Sequence, residues 1–288
     1  LGIIKLLNLE PLQLNLLKTS AKRLILWLPI FYAILFLGYI GRYLRWRILL
    51  SSISIGNFCI KEILFWFSGF SLTATPGKLG EISRVQLMGK YLNYPKKKLL
   101  PIFFIERFFD FISVSIWIFI LSPNLILFNF KNLFTSKFFL FFLTITLVVL
   151  ILLVNKYSDL IKNKFQNLNL NLSKINLIKT SIYSILTTIY FWGIEALILW
   201  LLVYLLSPNS ISISSAIYIY FISGILGVIS GLPGGLGVNE LTATILLQQQ
   251  GISGTLALII SILRRLITIW SISGLSILIS IRLKKIYS

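Results

Sequence analysis

Residues 181–206 read SIYSILTTIYFWGIEALILWLLVYLL, with one charged residue, Glu195, near the middle. An apolar run of about 18 residues or more is long enough to cross the hydrocarbon core of a bilayer as a helix. Residues of about 24–41, 99–121, 138–154 and 256–281 form further runs of this kind. Membrane β-barrels show short alternating segments instead, and none are present. The reading is therefore an all-α, polytopic membrane protein with about five full spans. Composition agrees: 57% of the 288 residues are hydrophobic and 12% are charged, roughly half the charged fraction of soluble domains. A water-soluble fold has no means of hiding so much apolar surface.

The formal net charge is +19. The Lys and Arg residues fall mostly in short segments between apolar runs, the pattern of the positive-inside rule and of contact with anionic headgroups. No basic patch lies outside that context, so nucleic acid is not an expected partner. One cysteine, Cys59, and no histidine leave no intrachain disulfide, imidazole chemistry or His/Cys metal site, and no cofactor is expected. Residues 1–23 mix Lys5, Pro11, Lys18, Lys22 and Arg23 with leucines and read as an interfacial segment.

Basic density assigns 42–61, 84–98, 155–179 and the tail after 281 to the cytoplasm. Segments 122–130 and 207–255, which lack Lys and Arg, belong outside. Parity then makes a demand. The apolar stretch between 61 and 84 starts and ends inside, and 212–250 starts and ends outside, so each must enter and return as a re-entrant hairpin. Each carries a helix-breaking motif, Pro76-Gly77-Lys78-Leu79-Gly80-Glu81 in the first and Pro233-Gly234-Gly235-Leu236-Gly237-Val238-Asn239-Glu240 in the second. Broken helices at membrane depth survive only where they line a protein-walled or watery cavity. Halves 24–121 and 181–281, joined by a linker helix 138–154, thus predict an inverted-topology repeat within a single transmembrane domain, a construction common in transporters.

Only eight residues are acidic: Glu10, Glu62, Glu81, Glu106, Asp110, Asp159, Glu195 and Glu240. Five of them (Glu81, Glu106, Asp110, Glu195 and Glu240) lie within or beside apolar spans or motif breaks. Ionisable groups there are costly unless paired or hydrated, and mark functional sites. Together with Arg84, Arg107, Arg264 and Arg265 they are the candidate substrate-binding residues. Pairs of the Glu81–Arg107 and Glu240–Arg264 type would alternatively fix helix packing alone. Pro76, Gly77, Gly80, Pro233, Gly234, Gly235 and Gly237 are read as hairpin turns whose exposed N–H groups are able to receive a phosphate oxygen. Neither nucleotide-loop motif is present. Arg42, Arg45 and Arg47, with Trp46, end the first span either as an interfacial anchor or as a clamp on headgroup phosphates.

The pieces Arg42-x-x-Arg45-Trp46-Arg47, Pro76-Gly77-Lys78-Leu79-Gly80-Glu81-x-x-Arg84, Glu106-Arg107-x-x-Asp110, Gly231-Leu232-Pro233-Gly234-Gly235-Leu236-Gly237-x-x-Glu240 and Arg264-Arg265 occur in this order. In that order and over about 24–281, the chain resembles the lysylphosphatidylglycerol synthase transmembrane-region family of flippase-like proteins. The resemblance implies a role in moving lipid between leaflets, since in two-domain members a separate soluble domain performs aminoacyl transfer. That soluble domain has no counterpart here, so the chain is not expected to be an enzyme. Family members usually carry another helix before the Arg-x-x-Arg-Trp-Arg span, so an upstream helix is expected to be missing. The function expected is a flippase for a phospholipid or polyprenyl-phosphate-linked lipid in a bacterial inner membrane, its partners anionic or phosphate-bearing membrane lipids. A membrane-embedded lipid-modifying transferase and a non-catalytic scaffold are the alternatives.

Overall fold

The computed structural model describes residues 11–52, 55, 59–75, 80–121 and 177–287. Pro76, Gly77, the linker helix 138–154 and most of the basic segment 155–179 lie outside the described residues.

Helix α1 spans Pro11–Ser52, about 63 Å at the α-helical rise. Two expectations are corrected here. From Pro11 onward the backbone belongs to the same helix as the first span, not to a separate interfacial segment. The span also does not end at Arg42–Arg47; the helix runs one to two turns further. The helix passes through these charges because other helices supply their partners, as described below.

The first hairpin consists of α2 (Ile60–Ser68), a 3-10 turn (Gly69–Leu72) and α3 (Ser83–Tyr91), which packs back on α2. Helix α4 (Lys96–Leu121) follows. Helix α5 (Leu177–Leu206) then precedes the second hairpin, made of α6 (Ile213–Ile229) and α7 (Val238–Gln249). Ser212 caps α6, its hydroxyl accepting the Ser215 N–H at 3.1 Å. Helix α8 (Gly254–Arg265) continues through one π-turn, Leu266–Trp270, into α9 (Ser271–Tyr287). Among the described residues, three stretches are long and apolar enough to cross a membrane: Lys22–Ser51, Thr180–Leu206 and Gly254–Ile286. Helix α4 has the length but carries Glu106, Arg107 and Asp110. The hairpin leg α2, with its 3-10 turn, covers only about 20 Å, short of the roughly 30 Å hydrocarbon core.

The element order of 24–121, long helix, hairpin, long helix, recurs in 181–281. The halves interlock. Helix α1 packs along α5, α4 packs against α6 of the second hairpin, and α9 packs against α2 and the 3-10 turn of the first. Gly38 and Gly41 allow the α1–α5 approach: a Cβ on Gly41 would lie 2.8 Å from the Tyr190 ring, and small residues at such crossings let membrane helices close. The hairpin tips meet as well, since a Cβ on Gly234 would lie 3.4 Å from Ala74 Cα.

Two apolar clusters result. One gathers Phe31 and Leu35 of α1, Ile118 and Leu121 of α4, and much of α5–α8. The other gathers Trp46, Leu49 and Leu50 of α1, Phe65 and Phe70 of the first hairpin, and Leu99, Ile102 and Phe103 of α4. Arg42 and Arg45 fall between Leu35 and Trp46 on α1, and Glu106, Arg107 and Asp110 between Phe103 and Ile118 on α4, so these charges lie between the two clusters' positions. The outer face of α1 is a stripe of exposed Ile25, Leu26, Phe36, Leu37, Ile40 and Leu44, a surface made for acyl chains rather than water. This is a polytopic helical membrane protein.

The feet of the first hairpin supply a topology test. In a Cys59→Ser background, cysteines placed at Lys61 and Lys97 should react with a membrane-impermeant maleimide from the same side, and one at Pro208 from the other. Labelling of Lys61→Cys and Lys97→Cys from opposite sides would make the hairpin a true crossing.

Candidate functional site

Arg42 lies one residue past Gly41 on α1 and turns inward. It donates to both oxygens of Glu81, at 3.1 and 3.4 Å, and its guanidinium rests against the rings of Phe70 and Phe191, at 4.5 and 5.1 Å. Glu81 also accepts from the Thr73 hydroxyl at 3.1 Å and lies 3.6 Å from Arg107, the pairing expected from sequence. Gly80 lets the chain reach this point, because a Cβ there would meet Leu72 Cβ at 2.5 Å. Its N–H donates to Thr75 at 2.6 Å.

One turn along α1, Arg45 joins two helices. It donates to Asp110 at 2.6 Å, to Glu106 at 3.4 Å and to Thr188 of α5 at 2.8 Å. Glu106 takes a second guanidinium from Arg84, which stacks 4.4 Å from the Trp46 ring. Asp110 additionally accepts from the Trp192 indole at 3.3 Å and pairs with Arg107 at 3.1 Å. Arg42, Arg45, Glu81, Arg84 and Glu106 are all at most 2% exposed. Guanidinium is suited to this setting because it stays charged and its planar fork serves several acceptors at once.

These positions correct the interfacial reading of the Arg-x-x-Arg-Trp-Arg motif. Arg42 and Arg45 are buried and occupied by carboxylates, and Trp46 lies inside the apolar cluster. Arg47 donates to Glu62 at 2.7 Å. They weaken the positive-inside count too: Arg42, Arg45 and Arg84 are not loop charges, which leaves Arg47, Lys61, Lys90 and Lys96–Lys98 to carry it in the first half.

Glu62 was among the acids not singled out by sequence, yet it is fully buried at the start of α2. It accepts from Tyr43 at 3.1 Å and from Tyr94 at 3.0 Å, besides Arg47. Burial and the bond to Glu62 push the Tyr94 phenol up to about 12, so it stays a donor at any physiological pH. The available signal was an acid inside an apolar run next to a basic residue.

The second half has its own constellation. The turn at 231–237 takes positive φ at Gly231, Gly234, Gly235 and Gly237. Glu240 closes it, accepting the Gly237 N–H at 2.7 Å and so capping α7. The pairing from α8 differs from the Glu240–Arg264 pair expected. Arg265 reaches Glu240 at 2.9 Å and donates to the Gly234 carbonyl at 2.6 Å. Arg264 turns to Asn239 and to Ser223, the latter at 3.2 Å. Successive helical residues diverge by about 100°, so one α8 arginine faces the turn and the other the α6–α7 cleft. Glu195 of α5 accepts from Tyr220 at 2.5 Å and lies within electrostatic reach of both Arg42 and Arg264. It therefore stands between the two constellations. Asn239, Ser223, Tyr220, Thr188 and Trp192 were not expected from sequence, because polar neutral residues in apolar runs have no pattern of their own.

Chemically the site is a polar seam of six guanidiniums and five carboxylates within an apolar shell. It gathers charged and hydrogen-bonding groups in an otherwise apolar interior. Among the described residues no group of three or more His, Cys, Asp or Glu side chains is placed to hold a metal ion.

Comparison with known proteins agrees with this architecture. A UPF0104 membrane protein of Methanocaldococcus jannaschii is 29% identical over 214 residues, covering 70% of this chain and 89% of that protein. Another UPF0104 membrane protein, from Methanothermobacter thermautotrophicus, is 33% identical over 89 residues, covering 31% of this chain and 26% of its own. No solved structure matches. The family described as the lysylphosphatidylglycerol synthase TM region matches residues 2–276, nearly the whole length. The chain belongs to the lysylphosphatidylglycerol synthase transmembrane-region family.

Proposed function

We propose that this protein moves a lipid with a phosphate-bearing headgroup between the two leaflets of its membrane. The carrying observation is the placement of the polar seam. Two helical hairpins from the two halves of the chain bring their tips together at Ala74 and Gly234, and buried arginine–carboxylate sets lie beside both. A headgroup cannot cross about 30 Å of hydrocarbon unaided at a useful rate. A charged seam lowers that barrier while the acyl chains stay in the bilayer against the exposed apolar faces. The arginines are suited to pairing with the phosphate, and the acids hold them when no lipid is present. In this reading the hairpins are re-entrant from opposite faces, the halves form an inverted repeat, and the basic segments face the cytoplasm. The two halves alternate around the seam with no covalent intermediate.

The test is reconstitution into liposomes containing a fluorescent phospholipid or a labelled polyprenyl-phosphate lipid, read by a quencher of the outer leaflet. The unaltered protein should expose label from the inner leaflet. Glu240→Gln and Arg264→Ala should slow this at least tenfold while remaining folded in the bilayer. If no lipid crosses but one is chemically altered, the protein is instead a lipid-modifying enzyme. If all buried charges are dispensable, it is a scaffold.

A further inference from the structure

The membrane-length helix Gly254–Ile286 is shared between the two halves. Its first part, α8, packs against α5 and α7 of the second half, and its last part, α9, packs against α2 and the 3-10 turn of the first hairpin. An α-helix bends sharply only where its hydrogen-bond ladder is interrupted, so an unbroken helix here would tie the halves together. The ladder is interrupted at the π-turn Leu266–Trp270, directly after Arg264 and Arg265. The Ser271 N–H donates five residues back, to the Leu266 carbonyl. The Ile267 carbonyl, which that N–H would take in an α-helix, accepts the Ser271 hydroxyl instead. The Arg264 carbonyl accepts the Thr268 hydroxyl at 2.9 Å. A freed carbonyl is costly in hydrocarbon, and here the helix's own side chains serve it, with no bond to a neighbouring helix to restrain the joint. Beyond the turn, Ser273 and Ser276 of α9 are buried and their hydroxyls have no hydrogen-bond partner among the described residues, so these hydroxyls do not fix α9 to the hairpin.

Taking the translocation reading as its basis, we infer that the π-turn Leu266–Trp270 is the hinge on which α8 moves relative to α9, and that its motion opens and closes the contact between the hairpin tips. Single-turn π segments inside α-helices commonly mark such functional joints, and hinges are short stretches at the ends of packed elements. The link to the tips is Arg265, the last residue before the turn. It donates to the Gly234 carbonyl at 2.6 Å, and Gly234 is the residue that meets Ala74 of the first hairpin. A bend at 266–270 therefore carries the second tip toward or away from the first, while α9 stays seated on α2. A static role is the competing explanation: the extra residue would merely set the phase in which α9 meets the hairpin. A π-turn holds one residue more than the α-helix around it, so removing one residue closes the ladder and leaves both flanking helices in phase. That property separates the two explanations.

In a Cys59→Ser background, spin labels at Ile262→Cys on α8 and Leu278→Cys on α9, both exposed positions, would lie about 24 Å apart along the helix. Double electron–electron resonance in phosphatidylglycerol liposomes reads that distance. The expected distribution has more than one component in the otherwise unaltered chain and a single component after deletion of Ile269. The same deletion should slow lipid transfer at least tenfold. Ser271→Ala, which takes the hydroxyl from the Ile267 carbonyl, is the milder arm and should shift the balance of components at least threefold; it decides the matter if the deletion variant does not fold. One single component, the same in the unaltered and altered chains, would overturn the hinge. So would transfer at the unaltered rate by the deletion variant. Several components without transfer of any lipid would sink the translocation reading and leave the hinge standing. Transfer by a helix with one fixed distance would do the reverse.

Discussion

Glu106→Gln should be the most damaging single exchange in the polar seam, costing about 3–5 kcal/mol of stability, the usual penalty for removing one partner of a buried ion pair. Glu106 is fully buried and accepts from both Arg45 and Arg84, which are themselves at most 1% exposed. Its neutralisation leaves four guanidiniums facing two carboxylates, in a place closed to bulk solvent. Glu62→Gln is the instructive contrast. Glu62 is as deeply buried, but two of its three donors are neutral phenols, and the third, Arg47, is 19% exposed and able to reach solvent. Ordinary hydrogen-bond losses of about 1–2 kcal/mol are expected there. Thermal unfolding in detergent, with accumulation in the membrane as a second readout, separates the two. The double variant Arg84→Gln with Glu106→Gln removes one charge of each sign and should be more stable than Glu106→Gln alone. If Glu106→Gln unfolds no more easily than the unaltered protein, the seam does not hold the helices together, and its cost is borne for function alone.

The sequence disclosed the class of fold through length and apolarity alone, because a run such as 181–206 has no stable place except in a bilayer. It disclosed the break before α7 through Pro233 and the glycines that follow it, whose effect on the backbone is local. It disclosed the pairing of Glu81 with Arg107 because acids are so few that most must find a basic partner. Other parts were not legible. Arg42 and Arg45 carry the same one-dimensional signature as an interfacial anchor, a basic cluster with a tryptophan at the end of an apolar run. Only the folded chain shows that α1 continues to Ser52 and that Glu81, Glu106 and Asp110 come to meet them. Whether Glu240 pairs with Arg264 or Arg265 depends on the phase of α8, and one residue of phase turns a side chain by about 100°. The role of Glu62 depends on Tyr94, across a hairpin, and no local pattern announces it.

The seam depends in turn on how closely the second hairpin folds on itself, and Gly235→Ala should break that fold. Gly235 takes φ +66, a conformation that costs an L-residue about 1 kcal/mol or more. A Cβ there would also lie 2.8 Å from Gly227 Cα and 2.9 Å from its carbonyl carbon, so the obstacle is backbone, which has no rotamer by which to yield. The turn would have to lift off α6. Doing so would pull Gly234 away from Ala74 and from the Arg265 side chain that donates to its carbonyl, parting the hairpin tips. Two other glycines calibrate the effect. Gly231 has a similar φ of +66 with nothing within 4 Å of its Cβ position, so Gly231→Ala should cost the conformational part alone, about 1 kcal/mol. Gly224 lies in the body of α6 with open space and ordinary helical backbone, so Gly224→Ala should be neutral or stabilise by up to about 1 kcal/mol. Thermal unfolding of the three variants should rank Gly224→Ala above Gly231→Ala, with Gly235→Ala well below both and by at least about 2 kcal/mol. In liposomes, Gly235→Ala should lose lipid transfer even where it inserts. A Gly235→Ala protein that unfolds and transfers like the Gly231→Ala one would mean that the turn does not rest on Gly227 when the protein works.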